Sequence, residues 1–211
     1  MTWIVSANVG GIDNHQVIAT QNKGCTYIQH RSPIDGWSDR MSGKFYKTKW
    51  LSQTDDIVIW VDGVVNITSP DFVEWCEKQI EGHDFCVPLH PERDTLAEEY
   101  EYILNNLHKP YLKTRYGYED WNGEIEAFRS GLGAPLVNPR VFIADTRKKA
   151  CKSLLSTWWE LIKEYTIFDQ SQLSYLLHER PIELDRDLKV KHLSWTELNN
   201  YVKIVKHKEL K

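Results

Sequence analysis

Hydrophobic residues fall into short unbroken runs that alternate with stretches of helical spacing, and this alternation predicts an α/β fold. Residues 3–8 (WIVSAN) form an apolar run ending at Gly10 and Gly11, so a buried strand should open there into a loop. Residues 57–61 (IVIWV) are the most apolar run in the chain and should be a central strand. Further strands are expected at 25–29, 85–89, 141–144 and 188–192. Residues 42–50, polar with aromatics, read as helical. Ser69 and Pro70 supply an N-cap and a first-turn proline for a helix with Phe72, Cys76 and Ile80 on one face. Thr95 and Glu98 form a capping box for a helix through Leu107, with Leu96 and Ile103 also inward. Residues 146–165 are amphipathic, 169–178 form a further helix ended by Pro181, and a second capping box, Ser194 and Glu197, opens a C-terminal helix. Residues 109–138 lack clean periodicity and read as an irregular, acceptor-side loop region.

The 211 residues suit one domain spanning residues 1–211, a mainly parallel central sheet flanked by helices. A hydrophobic share of 41% and a charged share of 27% are those of a soluble globular chain. The net charge of −4 argues against a nucleic-acid partner, and no apolar stretch approaches a membrane span. The N-terminus enters a strand directly with no signal-peptide pattern, and the four cysteines form no C-x-x-C pair. Both point to reduced thiols in the cytoplasm. The charged C-terminus shows no stop, so the chain reads as a domain excised from a longer polypeptide whose further domains would be its partners. Nine Trp and ten Tyr must pack the core or offer flat faces to sugar rings.

In such a sheet, ligands bind beyond the carboxyl ends of the strands. That places residues 6–11, Asp62 and His90 along one rim. Asp62, directly after the most apolar run, is where a metal on a nucleotide diphosphate would find a hard oxygen ligand. Asp-Gly between IVIWV and VVNI is equally a type I′ hairpin signal. Lys44 and Lys47 could meet a diphosphate or could line a solvated helix face. Asp169 and Gln170 could hold sugar hydroxyls, or Asp169 could simply cap a helix. His90, Arg93, Glu98 and Glu99 could bind an acceptor or supply acid and base groups, and surface decoration explains them as well. His192 is a lone histidine near a strand. No phosphate-binding P-loop and no nucleophile elbow is present.

Taken in order, these segments resemble a GT-A fold glycosyltransferase, and more narrowly the plant mucilage-related glycosyltransferase domain family. They are similar, too, to the N-terminal glycosyltransferase domain of a large chlorella-virus protein. The shared pattern is Gly10, Gly11 and Asp13 after the first strand; Lys44 and Lys47; residues 59–63 ending Asp-Gly; His90 and Arg93 with a following Glu; and Trp158, Trp159, Asp169 and Gln170. The resemblance implies transfer of a hexose or deoxyhexose from a UDP-sugar to a glycan acceptor, with Mn²⁺ or Mg²⁺ on the diphosphate. It implies that Ser6, Ala7 and Asn8 meet the nucleotide and Lys44 the diphosphate. Asp62 would hold the metal, Asn138 would lie near the donor sugar, and Asp169 and Gln170 would stand beside the reacting carbon. His90 and Arg93 are the acceptor-side candidates. If the protein is viral, its location would be the host cytoplasm. One departure matters: either position 64 is Val in place of the second carboxylate of Asp-x-Asp, or Asp62 is the second member and Trp60 replaces the first, so one acidic ligand is missing and His192 or another residue would have to complete the shell. The alternative is a non-catalytic carbohydrate-binding or interaction domain, and a third reading is a nucleotidyltransferase.

Overall fold

The computed structural model describes residues 1–11, 24–179 and 187–205. Asp13 and Pro181 lie outside them. Six strands form one sheet: β1 (Thr2–Ala7), β2 (Cys25–His30), β3 (Ile57–Val61), β5 (Phe85–Pro88), β6 (Val141–Asp145) and β7 (Val190–Leu193). Their spatial order is β2-β1-β3-β6-β5-β7. All run parallel except β6, which is antiparallel to both β3 and β5. The expected mainly parallel α/β sheet is therefore present, with the two most apolar runs, β1 and β3, as neighbours.

The apolar runs are unbroken because both sheet faces are buried. Val58, Trp60, Phe142 and Phe85 point to one side, where α6 (Lys149–Glu164) packs Leu154, Leu155 and Trp158. Ile59, Val61, Ile143 and Cys86 point to the other, where α2 (Phe72–Ile80) packs Phe72, Cys76 and Ile80. Each such large apolar side chain contributes roughly 1.5–3 kcal/mol on burial. α2 begins two residues later than Ser69-Pro70 suggests, because the Ser69 hydroxyl accepts the Asp71 N–H and forms a turn there.

Residues 109–138 are more regular than their composition implies. They contain α4 (Pro110–Tyr116) and α5 (Trp121–Ala127). Trp121 and Phe128 join Leu96, Tyr100 and Ile103 of α3 (Leu96–Asn106) in a third apolar cluster. That cluster leans on Phe168, just before α7 (Asp169–Glu179), and on Tyr175 within it. The Thr95 cap of α3 holds, its hydroxyl accepting the Glu98 N–H, but the Glu98 carboxylate reaches back to the Asp94 N–H. The C-terminal helix is a single turn, α8 (Trp195–Leu198). The chain then forms β8 (Val202–Ile204), paired with β4 (Val65–Ile67) in a separate two-stranded ribbon.

Candidate active site

β1 ends at Ala7 and β3 at Val61, and Val5 stands beside Trp60, so Ala7 and Asp62 lie level on the rim. Asp62 is not the corner of a hairpin. β4 leaves the sheet to pair with β8, and Gly63 is not among the glycines of positive φ that a type I′ turn requires. The Asp62 N–H donates to the Arg140 carbonyl at 2.8 Å and its carbonyl accepts the Val65 N–H at 2.9 Å. A turn pinned at both ends presents the carboxylate at the rim.

The helical segment predicted at 42–50 supplies the cations. It starts earlier, as α1 (Asp39–Phe45), and continues through a π-helical turn, Tyr46–Trp50. Its N-terminus is capped by Ser38, whose hydroxyl accepts the Met41 N–H. Gly10, at φ 73°, lets the end of β1 approach this helix: a side chain there would collide with the Asp39 carboxylate. Lys44 and Lys47, three residues apart, share a helix face.

Four side chains from three distant segments form a continuous chain. Lys44 Nζ lies 2.6 Å from Asp169 Oδ1, Lys47 Nζ 2.8 Å from Asp169 Oδ2, and Lys47 Nζ 3.2 Å from Asp62 Oδ1. Trp60 Nε1 also donates to Asp62 Oδ1, at 2.6 Å. The Lys47 side chain is only 4% exposed and lies 5.7 and 5.8 Å from the ring centres of Trp60 and Trp158. Exposure grows toward the ends, to 20% at Lys44 and 30% at Asp62.

Burial disfavours every charge here, and the ion pairs decide which survive. Burial works against the Lys47 ammonium, but the Asp169 and Asp62 carboxylates outweigh it and raise its pKa. Burial likewise opposes the Asp169 carboxylate, yet Lys44 and Lys47 hold it well below the usual range. Lys44 shares its one close carboxylate with a second ammonium. Burial therefore prevails over Asp169, the like charge of Lys47 adds to the fall, and the pKa drops to about 8. Lys44 is the proton-labile end of the chain.

Asp169 is the first residue of α7, but its carboxylate serves the two lysines, which displaces the simple capping explanation. The start of α7 is held from beneath. Glu124 of α5, fully buried, accepts the Thr166 N–H and hydroxyl, the Ser171 hydroxyl, the Gln172 amide and the Tyr100 hydroxyl, at 3.2, 2.6, 2.5, 2.8 and 2.8 Å. Trp158 Nε1 donates to the Asp169 carbonyl at 2.8 Å. Next to Asp169, the buried Gln170 Nε2 finds no acceptor among the described residues.

Other expected site residues are placed less simply. Ser6 is buried, and Ala7 and Asn8 are half-buried at the rim, where Asn8 donates its N–H to His30. Asn138 is buried just before β6, and its Oδ1 accepts the Arg140 N–H, shaping the turn beside Asp62. His90 follows β5, two strand steps from β3. Its Nδ1 accepts the Glu92 and Arg93 N–H groups, its Nε2 meets Arg93, and Arg93 pairs with Glu99. These side chains brace a loop, and an acceptor would have to compete with those bonds. Burial and the nearby Arg93 and Arg140 push the His90 pKa down to about 4. His192 does not join Asp62. It lies on β7, the sheet edge, three strand steps from β3 or roughly 14 Å.

Among the described residues no three His, Cys, Asp or Glu side chains cluster as a metal site. One carboxylate does not form a shell, so a divalent ion at Asp62 would need the phosphate oxygens of a bound ligand. Trp60 and Glu124 were not among the expected site residues. The Lys-x-x-Lys spacing was the signal for Lys47, while Glu124 sits in the segment without periodicity and carries none. Of the nine tryptophans only Trp37, at 38%, is exposed, so the tryptophans mainly serve the core, whereas Tyr27, Tyr102, Tyr111 and Tyr118 are exposed.

No helix among the described residues is long and apolar enough to cross a membrane. No family model matches the sequence, and no curated protein matches it. Solved structures do. A glycosyltransferase involved in the glycosylation of the major capsid of PBCV-1 is 10% identical over 90% of this chain and 82% of that one, with a TM-score of 0.46. The galactosyltransferase LgtC is 12% identical over 90% and 72%, with a TM-score of 0.42. The bifunctional glycosyltransferase WbbM is 7% identical over 90% of this chain, with a TM-score of 0.51, and this chain spans 38% of it. At such identities the likeness is one of fold, and through WbbM it establishes that this chain shares an α/β fold with a solved glycosyltransferase.

Proposed function

We propose that this chain transfers a sugar, a hexose or deoxyhexose, from a UDP-sugar to a glycan acceptor. The observation that carries the reading is the Lys44–Asp169–Lys47–Asp62 chain at the carboxyl rim of a parallel sheet, where such folds bind ligands. In the reaction, the bond from the anomeric carbon to the diphosphate oxygen breaks, the oxygen of an acceptor hydroxyl takes its place, and the hydroxyl proton passes to the departing diphosphate. Negative charge develops on the departing diphosphate. Lys44, at the partly exposed end, would meet that charge, and an ammonium already fixed in place stabilises it without reorganisation. Asp169 acts through the lysines by holding both cations in position. Gln170, with an unmet amide donor, would bind a hydroxyl of the donor sugar, with Asn138 nearby, and Ser6, Ala7 and Asn8 would receive the nucleotide.

Mn²⁺ or Mg²⁺ would be held by Asp62 together with the phosphates, and when bound it would neutralise diphosphate charge. The test is calorimetric titration of UDP with Mn²⁺ and with a chelator, followed by assay of sugar release from UDP-sugars. Metal-enhanced UDP binding, lost in Asp62→Ala, is the expected result. Absence of UDP binding with Mn²⁺ present overturns the proposal.

A further inference from the structure

Arg40 stands one helical turn before Lys44 on α1, on the same face. Its Nη1 donates to the main-chain carbonyl of Arg115 in α4, and its guanidinium lies 4.8 Å from the centre of the Tyr116 ring. Arg115 packs on the same ring from 5.7 Å. Among the described residues no carboxylate pairs with Arg40. Its Nε and Nη2 are both buried and have no acceptor among the described residues. Those two atoms form one edge of the guanidinium fork, with parallel N–H bonds spaced to match the two oxygens of a carboxylate or phosphate. Burying two donors of a cation without partners is costly, and structures seldom tolerate it unless a partner arrives.

We infer that Arg40 is an oxyanion receptor: its Nε–Nη2 edge takes a bidentate phosphate or carboxylate of a ligand entering between α1 and α4. The Tyr116 ring holds the guanidinium in place and leaves its direction fixed. α4 contributes no fully buried side chain, and its Tyr116 ring is held by edge-on contacts to Trp121 and Phe168, at 6.1 and 5.3 Å. Lys44 and Lys47 have their charge balanced by Asp169 and Asp62, whereas among the described residues Arg40 has no such balance. The inference stands whether or not the bound molecule is a nucleotide sugar. The oxyanion could be the diphosphate of a donor or the carboxylate of an acidic sugar.

The experiment follows the Arg40 Nε–H resonance of the full chain during titration with inorganic pyrophosphate and, separately, with glucuronate. A saturable shift at Arg40, absent at the exposed Arg129, is expected with one of the probes. Pyrophosphate places the site on the donor side, and glucuronate identifies an acidic sugar. Arg40→Lys keeps the charge but loses the planar edge, and should weaken binding of that probe about tenfold with an unchanged melting temperature. If Arg40→Ala fails to fold, Arg40→Lys still decides the matter. Neither probe shifting the Arg40 resonance, equal shifts at Arg40 and Arg129, or wild-type affinity in Arg40→Lys would each overturn the inference.

Discussion

Replacing Asp169 with Asn keeps the side-chain volume and removes one charge from a buried chain of four. Lys47, 4% exposed, would keep Asp62 at 3.2 Å, while Lys44 would lose the carboxylate at 2.6 Å. Removing one partner of a buried ion pair costs about 3–5 kcal/mol. Lys44 is already poised at about 8 and can relieve part of that cost by releasing its proton, so the lower end, about 3 kcal/mol, applies. In a domain of this size that lowers the melting temperature by about 6–12 °C. Thermal unfolding followed by circular dichroism at pH 7 measures it. A double-mutant cycle with Lys47→Met should return a coupling of about 1–3 kcal/mol. The family resemblance places Asp169 beside the reacting carbon of the sugar. Its carboxylate also favours the charged form of Lys44, which on the proposed reading meets the diphosphate. Asp169→Asn should therefore weaken UDP binding at pH 7.5 and recover part of it at pH 6, where Lys44 regains its proton. An unchanged melting temperature with additive single-mutant effects would refute the ion-pair chain, and transfer at the wild-type rate would place Asp169 outside the site.

Three further outcomes are expected. If the Lys44 charge meets the diphosphate, kcat/KM for transfer should fall as pH rises through about 8, and Lys44→Arg, which stays charged, should abolish that limb in the pH profile. His90 has a folded pKa of about 4 against 6.5 when unfolded, so between these values the unfolded chain binds more protons and stability declines as pH falls. Denaturant titrations from pH 7 to 4 should show that decline flattened in His90→Gln, and an identical slope in both proteins would count against it. Glu124→Leu would strand the donors of Thr166, Ser171, Gln172 and Tyr100 and should cost at least about 3 kcal/mol, with Glu124→Gln milder; urea unfolding of Glu124→Leu at wild-type midpoint would show the network to be dispensable.

The chain's own pattern determined the strands. Residues 57–61 form β3 as read, and the first run forms β1 within a residue at each end, because doubly buried strands must be apolar along their length. It also singled out Asp62 and Asp169 by residue type and position at element ends, and Lys44 and Lys47 by their spacing. The helices α4 and α5 escaped notice because their apolar side chains are few and face a local cluster instead of the main sheet. The structure alone decided that β4 pairs with β8 and not with β3, which turned Asp62 from a hairpin corner into a rim carboxylate. It alone set β7 at the far edge, which removed His192 from the site. And it alone joined Lys47 to Asp169 and Glu124 to the start of α7. Periodicity and capping act over a few neighbouring residues, whereas a buried ion pair forms only when packing brings distant segments together and excludes the water that would otherwise satisfy each charge separately.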